Sequence, residues 1–463
     1  MNDSREVVVL SGVRTAIGRY GGSLKDTPLT ELAAAVTREA VRRSGAEPQD
    51  VGHVVFGNVI HTDVKDMYLA RVAAINGGLP IETPAFTLNR LCGSGLQAIV
   101  SAAQAIKLGD ADAAVAGGAE SMSRAQYWLP GHRWGQRMGD SGTVDAMVGA
   151  LTDPFHDCHM GTTAENVAAK WGVSREDQDR LAVESHRRAS TATKEGWFTE
   201  QILPVEVKSG KQTVTFDADE HIRHEVDLEA MAKLRPVFDK NGSVTAGNAA
   251  GVNDAAAAVA LMERSAAEQR GLQPMGRLVA YSHAGVEPEY MGIGPVPAVR
   301  AVLDRAGLKL DELDVIELNE AFAAQALAVM RDLELPPEKT NPVGSGISLG
   351  HPIGATGCLL AVKALYELRR TGGRFALVTM CIGGGQGIAA IFERLGDGET
   401  AGATSARESV ASDADQITGP ASDSKQGVAE NVCPRCNGSG RLESGQCPTC
   451  RGTGRVTEPI GGA

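Results

Sequence analysis

Gly350-His351-Pro352-Ile353-Gly354-Ala355-Thr356-Gly357 opens a run in which Leu359, Val362, Leu365 and Tyr366 recur at helical spacing, and Gly344-Ser345-Gly346 lies just before it. A glycine-rich turn that feeds an amphipathic helix is one unit of an α/β fold, because the turn carries the chain from a strand end to the helix that covers it. The same succession occurs earlier. A strand ending near Asn89 leads to Leu91-Cys92-Gly93-Ser94-Gly95 and then to a helix with Leu96, Ile99, Val100 and Ala103 on one face. Two related α/β halves are expected, with their turns at facing positions.

Outward from these turns the rhythm holds. Between Val7 and about Gly118, β-branched runs such as Val54-Val55-Phe56 alternate with Ala-rich helical patterns such as Leu32 to Val41. After Asn248 the pattern returns through Leu278-Val279-Ala280-Tyr281, Val315-Ile316-Glu317-Leu318 and Phe375 to Thr379. The stretch between holds all four tryptophans, Trp128, Trp134, Trp171 and Trp197, and reads as an inserted loop domain over a site. The expected division is 1–120 completed by 248–272, the insertion at 121–247, and a second half at 273–394. A Gly/Ala/Ser/Thr/Asp-rich linker at 395–432 and a cysteine module at 433–456 follow. The uncharged stretch Phe375 to Phe392 has the length of a membrane-spanning helix, but its four glycines predict two buried strands joined by a turn.

Composition bounds the function. With 43% hydrophobic and 22% charged residues, a chain of 463 residues buries at least two cores. Aromatics are only 4% and glycines number 55, so elements are expected to pack closely through small side chains. A net charge of −12 argues against nucleic-acid or anionic-membrane partners. Cys92, Cys158, Cys358 and Cys381 are scattered, and with the strand-like Val7 to Leu10 beginning at once no export signal is expected. A reducing, cytoplasmic setting is expected.

Four positions carry chemistry. Cys92 lies between a strand and a helix, where the helix N-terminus favours a thiolate and suits a nucleophile; a small buried turn cysteine is the bland alternative. His351 sits in a turn from which its imidazole can reach a thiol, or is simply a turn residue. Cys381 precedes Ile382-Gly383-Gly384-Gly385, a loop whose N–H groups could hold an oxyanion, or merely a tight hairpin. Asn319, in Asn319-Glu320-Ala321-Phe322, could cap a helix or position a water.

Taken together and in this order, Cys-Gly-Ser-Gly, Asn-Glu-Ala-Phe, Gly-His-Pro-Ile-Gly-Ala-Thr-Gly and Cys-Ile-Gly-Gly-Gly-Gln-Gly resemble the thiolase family over roughly residues 5 to 394. The likeness extends to bacterial β-ketothiolases and acetoacetyl-CoA thiolases, including the type found in polyhydroxyalkanoate-making bacteria. It implies a five-layered αβαβα core and an acyl transfer between CoA thioesters that needs no cofactor for catalysis. Cys92 then resembles the acylated nucleophile, His351 the imidazole that activates it, and Cys381 the acid/base that moves the α-proton. Asn319, through a water beside His351, would make one oxyanion hole, and the N–H groups of Cys92 and Gly383 the other.

The resemblance also implies acyl-CoA as the partner molecule, met by His159, Met160, Leu234, Phe238, Ala246, Ala249, Met291 and Phe322, with Arg223 at the nucleotide end. Plain core packing is the alternative for the apolar ones. Where many relatives have Gly-Asn-Ala-Ser-Gly, this chain has Gly247-Asn248-Ala249-Ala250-Gly251, so Ala250 removes a hydroxyl beside the CoA arm. One lost hydrogen bond costs about 1 kcal/mol, which predicts weaker CoA binding and retained activity. A homo-oligomer, dimer or tetramer, is implied by the family alone.

Cys433-x2-Cys436-x10-Cys447-x2-Cys450 has zinc-ligand spacing, since two Cys-x2-Cys knuckles can close a tetrahedral site. Each knuckle is followed by x-Gly-x-Gly, which resembles half of the cysteine-rich region of DnaJ-type chaperones. A structural zinc and a protein partner for the tail are the expectations. Two other readings of the chain remain: a ketoacyl synthase acting on acyl-carrier protein, which the Cys-x-Gly-Gly-Gly loop disfavours, and a non-catalytic scaffold that recruits partners.

Overall fold

A computed structural model describes residues 5–395, Val428–Val432, Ser439, Arg441–Leu442, Gly445–Gln446 and Arg455–Pro459. The chain divides into two units, Met1–Thr400 and Ala401–Ala463.

In the first half of the larger unit, strands β1 (Val7–Thr15), β2 (Val51–Gly57), β3 (Ala85–Leu88), β4 (Ala113–Ser121) and β5 (Asn253–Glu263) lie in the order β3-β2-β4-β5-β1. β2 runs parallel to both β3 and β4, whereas β5 is antiparallel to β4 and β1. The second half repeats this with β6 (Gly276–Gly285), β7 (Val315–Leu318), β8 (Phe375–Ile382) and β9 (Gln386–Arg394) in the order β7-β8-β9-β6. β7 and β8 are parallel and β9 is antiparallel to β8 and β6. A single parallel bridge from Ile316 to Thr340 stands where β3 stands in the first half. The duplication read from the two turns is therefore present in the strand order. Val8 and Val9 pair with Arg277 and Gly276 and join the two sheets.

Helices α1 (Leu29–Ser44) and α2 (Ser94–Leu108) belong to the first half. Between β4 and β5, the stretch expected as an insertion contributes α3 (Met160–Trp171) and α4 (Arg175–Lys194), and the second half adds α5 (Pro295–Ala306), α6 (Ala323–Asp332) and α7 (Thr356–Thr371). α2 and α7 pack on each other and on strands of both halves; α1 covers β1, β4 and β5, and α5 covers β6 and β9. The layers run helix, sheet, helix, sheet, helix, as expected. Burial explains which helix sits where. α1 buries a stripe that includes Leu29, Leu32, Ala33, Val36 and Ala40, whereas in α7 only the last turn escapes a nearly complete covering. A helix buried on most faces must lie in a middle layer.

The two middle helices meet at their first turns. A Cβ on Gly95 would lie 2.6 Å from the Cys358 nitrogen, and one on Gly357 would lie 2.2 Å from that of Leu96. Only glycine permits this backbone-to-backbone approach, which draws the Cys92 and His351 turns to one place.

The stretch 121–247 shares the main core through Ala189, Ala192, Phe198, Ile202, Val207, Phe216 and Ile222. α3 and α4 pack on α6, and Ile202–Leu203 pairs in parallel with β1 at Arg14 and Thr15. The fully buried Arg14 holds Asp219 through two bonds of 2.8 and 2.9 Å and Gln201 through a third. Removing either partner of such a buried pair costs about 3–5 kcal/mol, because it strands a buried charge, so the attachment of the insertion is sensitive to change at Arg14 or Asp219.

The apolar stretch Phe375 to Phe392 is the β8–β9 hairpin, turning at Gly383–Gly385 with φ of 79° at Gly384 and 81° at Gly385. Among the described residues no helix is long and apolar enough to cross a membrane.

In the smaller unit, Val428–Val432 pairs antiparallel with Arg455–Pro459, and Arg441–Leu442 with Gly445–Gln446. The last five residues of the expected linker are thus a strand, consistent with the valines at both its ends. Cys433, Cys436, Cys447 and Cys450 lie outside the described residues. Among the described residues, no group of three or more His, Cys, Asp or Glu side chains is placed to hold a metal ion.

Candidate active site

Cys92 is presented by a strained turn. Leu91 has φ of 46°, a left-handed conformation that costs a residue with a side chain about 1–3 kcal/mol. Local bonds hold it: Leu91 N donates to Asn89 Oδ1 at 2.8 Å, Arg90 N donates to Ser94 Oγ at 2.8 Å, and Ser94 Oγ donates to Leu91 O at 2.7 Å. The turn brings Cys92, part of its surface still open, ahead of the first residue of α2.

Burial pushes the Cys92 thiol up to about 11, against hydrogen bonds from the N–H groups of Gly383 and of Cys92 itself, with the Glu120 carboxylate adding to the rise. The lowered value expected at a helix N-terminus is therefore not found. Desolvation of the sulfur outweighs the helix end, because α2 begins two residues later and the pocket wall is apolar. Cys381, the penultimate residue of β8, is fully buried, and its thiol is also pushed up, first by burial and then by the neighbouring Cys92.

His351 donates its backbone N–H to Asn253 Oδ1 at 3.1 Å, and its Nδ1 lies 2.7 Å from Thr356 Oγ1. Burial holds the imidazole down to about 4, so it is neutral at physiological pH. Asn319 is buried behind the ring, with Nδ2 3.4 Å from both imidazole nitrogens. It does not cap α6, whose preceding residue is Phe322.

Cys92, His351, Cys381 and Gly383 line one cavity of about 250 Å³. So do His159, Met160, Phe238, Ala246, Ala249, Ala250, Met291 and Phe322. His159 precedes α3 and accepts the Gly161 N–H at Nδ1 (3.0 Å), which places its own ring proton on Nε2. Its ring stacks on Phe238 at 4.7 Å, and Phe238 meets Phe322 edge-on at 6.4 Å. Three expected residues do not line the cavity. Leu234 backs the wall against Met231 and Gly247, Asn319 stands behind His351, and the exposed Arg223 lies away from it.

Other wall residues escaped the sequence reading. Met122, Leu151, Val237, Thr245, Val252 and Ile353 come from loops whose apolar residues have no periodicity to mark them. Glu120 had a signal: it is the single charge in the otherwise small and apolar Ala113–Ser121 strand. Its buried carboxylate accepts from Asn58 Nδ2 and from the N–H groups of Val59, Ile60 and Gly354, at 2.8 to 3.1 Å. Burial still pushes it up to about 8, against those N–H groups.

Because the Cys92 thiol sits near 11 and the imidazole near 4, the resting pair is neutral. Alkylation of Cys92 by iodoacetamide in the substrate-free protein is expected to accelerate about tenfold per pH unit from pH 7 to 10. A rate that levels off by pH 8 would instead reveal a preformed thiolate–imidazolium pair.

Two neutral thiols, an imidazole and directed N–H groups at the end of an apolar slot form the equipment for forming and resolving a thioester. The profile described as "Thiolase, N-terminal domain" matches residues 7–265, and that described as "Thiolase, C-terminal domain" matches residues 272–394. The chain belongs to the thiolase family. This thiolase is 67% identical over 393 residues to the beta-ketothiolase BktB of Cupriavidus necator, covering 85% of this chain and all of that protein. Among solved structures it resembles the acetyl-CoA acetyltransferase of Bacillus anthracis, with TM-score 0.84 and 45% identity over 85% of this chain and 100% of that one. It also resembles human mitochondrial 3-ketoacyl-CoA thiolase in complex with CoA, with TM-score 0.82 and 44% identity over 84% of this chain and 98% of that one. The activity is that of a thiolase, Claisen condensation of acyl-CoA thioesters and its thiolytic reversal.

Proposed function

We propose that this thiolase interconverts two acetyl-CoA, or acyl-CoA plus acetyl-CoA, with 3-ketoacyl-CoA and CoA through an acyl-Cys92 intermediate. The meeting of Cys92, His351, Cys381 and Gly383 in one cavity carries the reading. His351 accepts the Cys92 proton as the sulfur attacks the thioester carbonyl, since neither group is ionised beforehand. The departing CoA thiolate takes the Cys381 proton and leaves as free thiol. Cys381, now a thiolate, removes the α-proton of the second thioester. The carbanion attacks acyl-Cys92, and the released Cys92 sulfur recovers its proton from His351. The Cys92 and Gly383 N–H groups, already aimed at the sulfur, serve the oxyanion on the attacked carbonyl. Asn319 stabilises the enolate oxygen through a water beside His351.

The apolar slot between His159, Met160, Phe238, Met291 and Phe322 suits a pantetheine arm, with Ala246, Ala249 and Ala250 small enough to let it pass. Leu234 supports that wall, and Arg223, exposed and outside the cavity lining, is the residue proposed to meet the nucleotide end of CoA. A thiolysis assay over 3-ketoacyl-CoA chain lengths tests the reading: CoA-dependent cleavage with ping-pong kinetics is expected, and no cleavage at any length would sink it.

The protein is proposed to act in the cytoplasm as a homo-oligomer, dimer or tetramer. Apolar side chains left bare between Tyr127 and Val144, Trp134 at 87% and Met138 at 90% exposure, favour subunit contacts. Cys433, Cys436, Cys447 and Cys450 are proposed to hold one structural zinc in a module that recruits a protein partner. Removing residues 395–463 is expected to leave turnover within about twofold while abolishing bound zinc, near one per chain in the intact protein. Metal-free intact protein would refute the zinc site.

A further inference from the structure

His351 makes its shortest contact with Thr356, five residues on, at the first turn of α7. The threonine hydroxyl has a single proton, and its oxygen lies 3.0 Å from the carbonyl of Pro352, one helical turn back, in the geometry of a donated bond. A hydroxyl that donates there can only accept from the imidazole nitrogen 2.7 Å away. Asn319 Nδ2, 3.4 Å from both ring nitrogens, does not choose between them. We propose that Thr356 is a positioning residue that holds His351 in the Nδ1–H tautomer, so that Nε2 presents its lone pair as the base for Cys92.

Three buried contacts thus fix the imidazole. Asn253 holds its backbone, Asn319 packs behind the ring, and Thr356 sets which nitrogen is bare. The opposite tautomer would place a hydrogen on Nε2 and leave nothing there to receive the thiol proton. The threonine also needs no charge for this task, in keeping with a site where burial keeps the imidazole neutral. The inference rests on His351 acting as the base, and its test reads the ring separately from turnover.

The test is ¹⁵N-histidine NMR of the full-length, substrate-free protein near pH 7, with the His351 signals assigned by their loss in His351→Asn. A protonated Nδ1 and a bare Nε2 are expected. Thr356→Val is expected to release the preference and to slow single-turnover acetylation of Cys92 about tenfold with little change in KM, and Thr356→Ser to restore both. Nε2–H in the wild type overturns the proposal, as does Thr356→Val with unchanged tautomer and rate. Should the valine variant not fold, the wild-type spectrum decides alone. Wild-type protein with Nδ1–H but no acetylation of Cys92 would defeat the catalytic reading and leave the tautomer assignment standing.

Discussion

Cys92→Ser is expected to lower covalent acetyl labelling from acetyl-CoA by on the order of 10³-fold or more, with the fold intact. The reasoning starts from the turn. Leu91 keeps its left-handed conformation because Asn89 and Ser94 hold it, and none of the three bonds involves the Cys92 side chain. Exchange of sulfur for oxygen therefore leaves the presentation unchanged and alters only the nucleophile. A neutral imidazole held near 4 can assist a thiol of about 11, but a serine hydroxyl ionises much less readily and its oxygen is the poorer nucleophile. Mass spectrometry after incubation with acetyl-CoA reads the outcome directly. Acetate found on the serine variant at the wild-type level would remove Cys92 from the mechanism.

Cys381→Ala is expected to separate the two half-reactions, keeping acetylation of Cys92 within a few fold and slowing condensation by about 10²–10⁴-fold. Cys381 is buried beside Cys92 at the end of β8, and alanine there removes the thiol without adding another base. On this reading the attack itself uses Cys92, His351 and the N–H groups of the Gly383 turn. Cys381 enters acylation only by giving its proton to the departing CoA, and a thiolate whose parent thiol ionises at about pH 8.5 leaves without that proton at a modest cost. Quenched-flow measurement of acetyl-enzyme alongside steady-state condensation distinguishes the steps. Loss of both together would make Cys381 a structural support for the turn, and normal condensation would assign the α-proton to another group.

Much of the fold was legible because each half signals itself locally. The helices α2 and α7 announced their buried faces through Leu96, Ile99, Val100 and through Leu359, Val362, Leu365, and the turns before them carried glycines at the same places. The stretch 121–247 was legible as a change in composition but not in its attachment, since the Arg14–Asp219 pair joins residues 205 positions apart. Likewise, Leu234 and Met231 lie within one short segment, yet the first supports the cavity wall from behind while Phe238, four residues on, lines it. Which face of a loop meets a cavity depends on the elements packed against it, and no local pattern encodes that.

The ionisation of the site was the clearest divergence. Position at a helix start argued for a lowered Cys92 thiol, whereas the assembled pocket raises it. The helix end is a feature of a few consecutive residues. Desolvation is a property of everything that closes around them, here Met160, Phe238 and Phe322 from three separate segments, together with the Glu120 charge from β4.

By itself, then, the order of residues determined the duplicated α/β plan, the places of the turns and the kinds of group that stand in them, because backbone preference and hydrophobic period act over a few neighbours. Only the packed molecule decided that Cys92, His351 and Cys381 share a cavity, that both thiols rest protonated, and that Thr356 faces the imidazole. Those outcomes depend on elements distant in sequence: the crossing of α2 and α7 at Gly95 and Gly357 brings the Cys92 and His351 turns together, while β8 and the segments carrying Met160, Phe238 and Phe322 close the cavity around them.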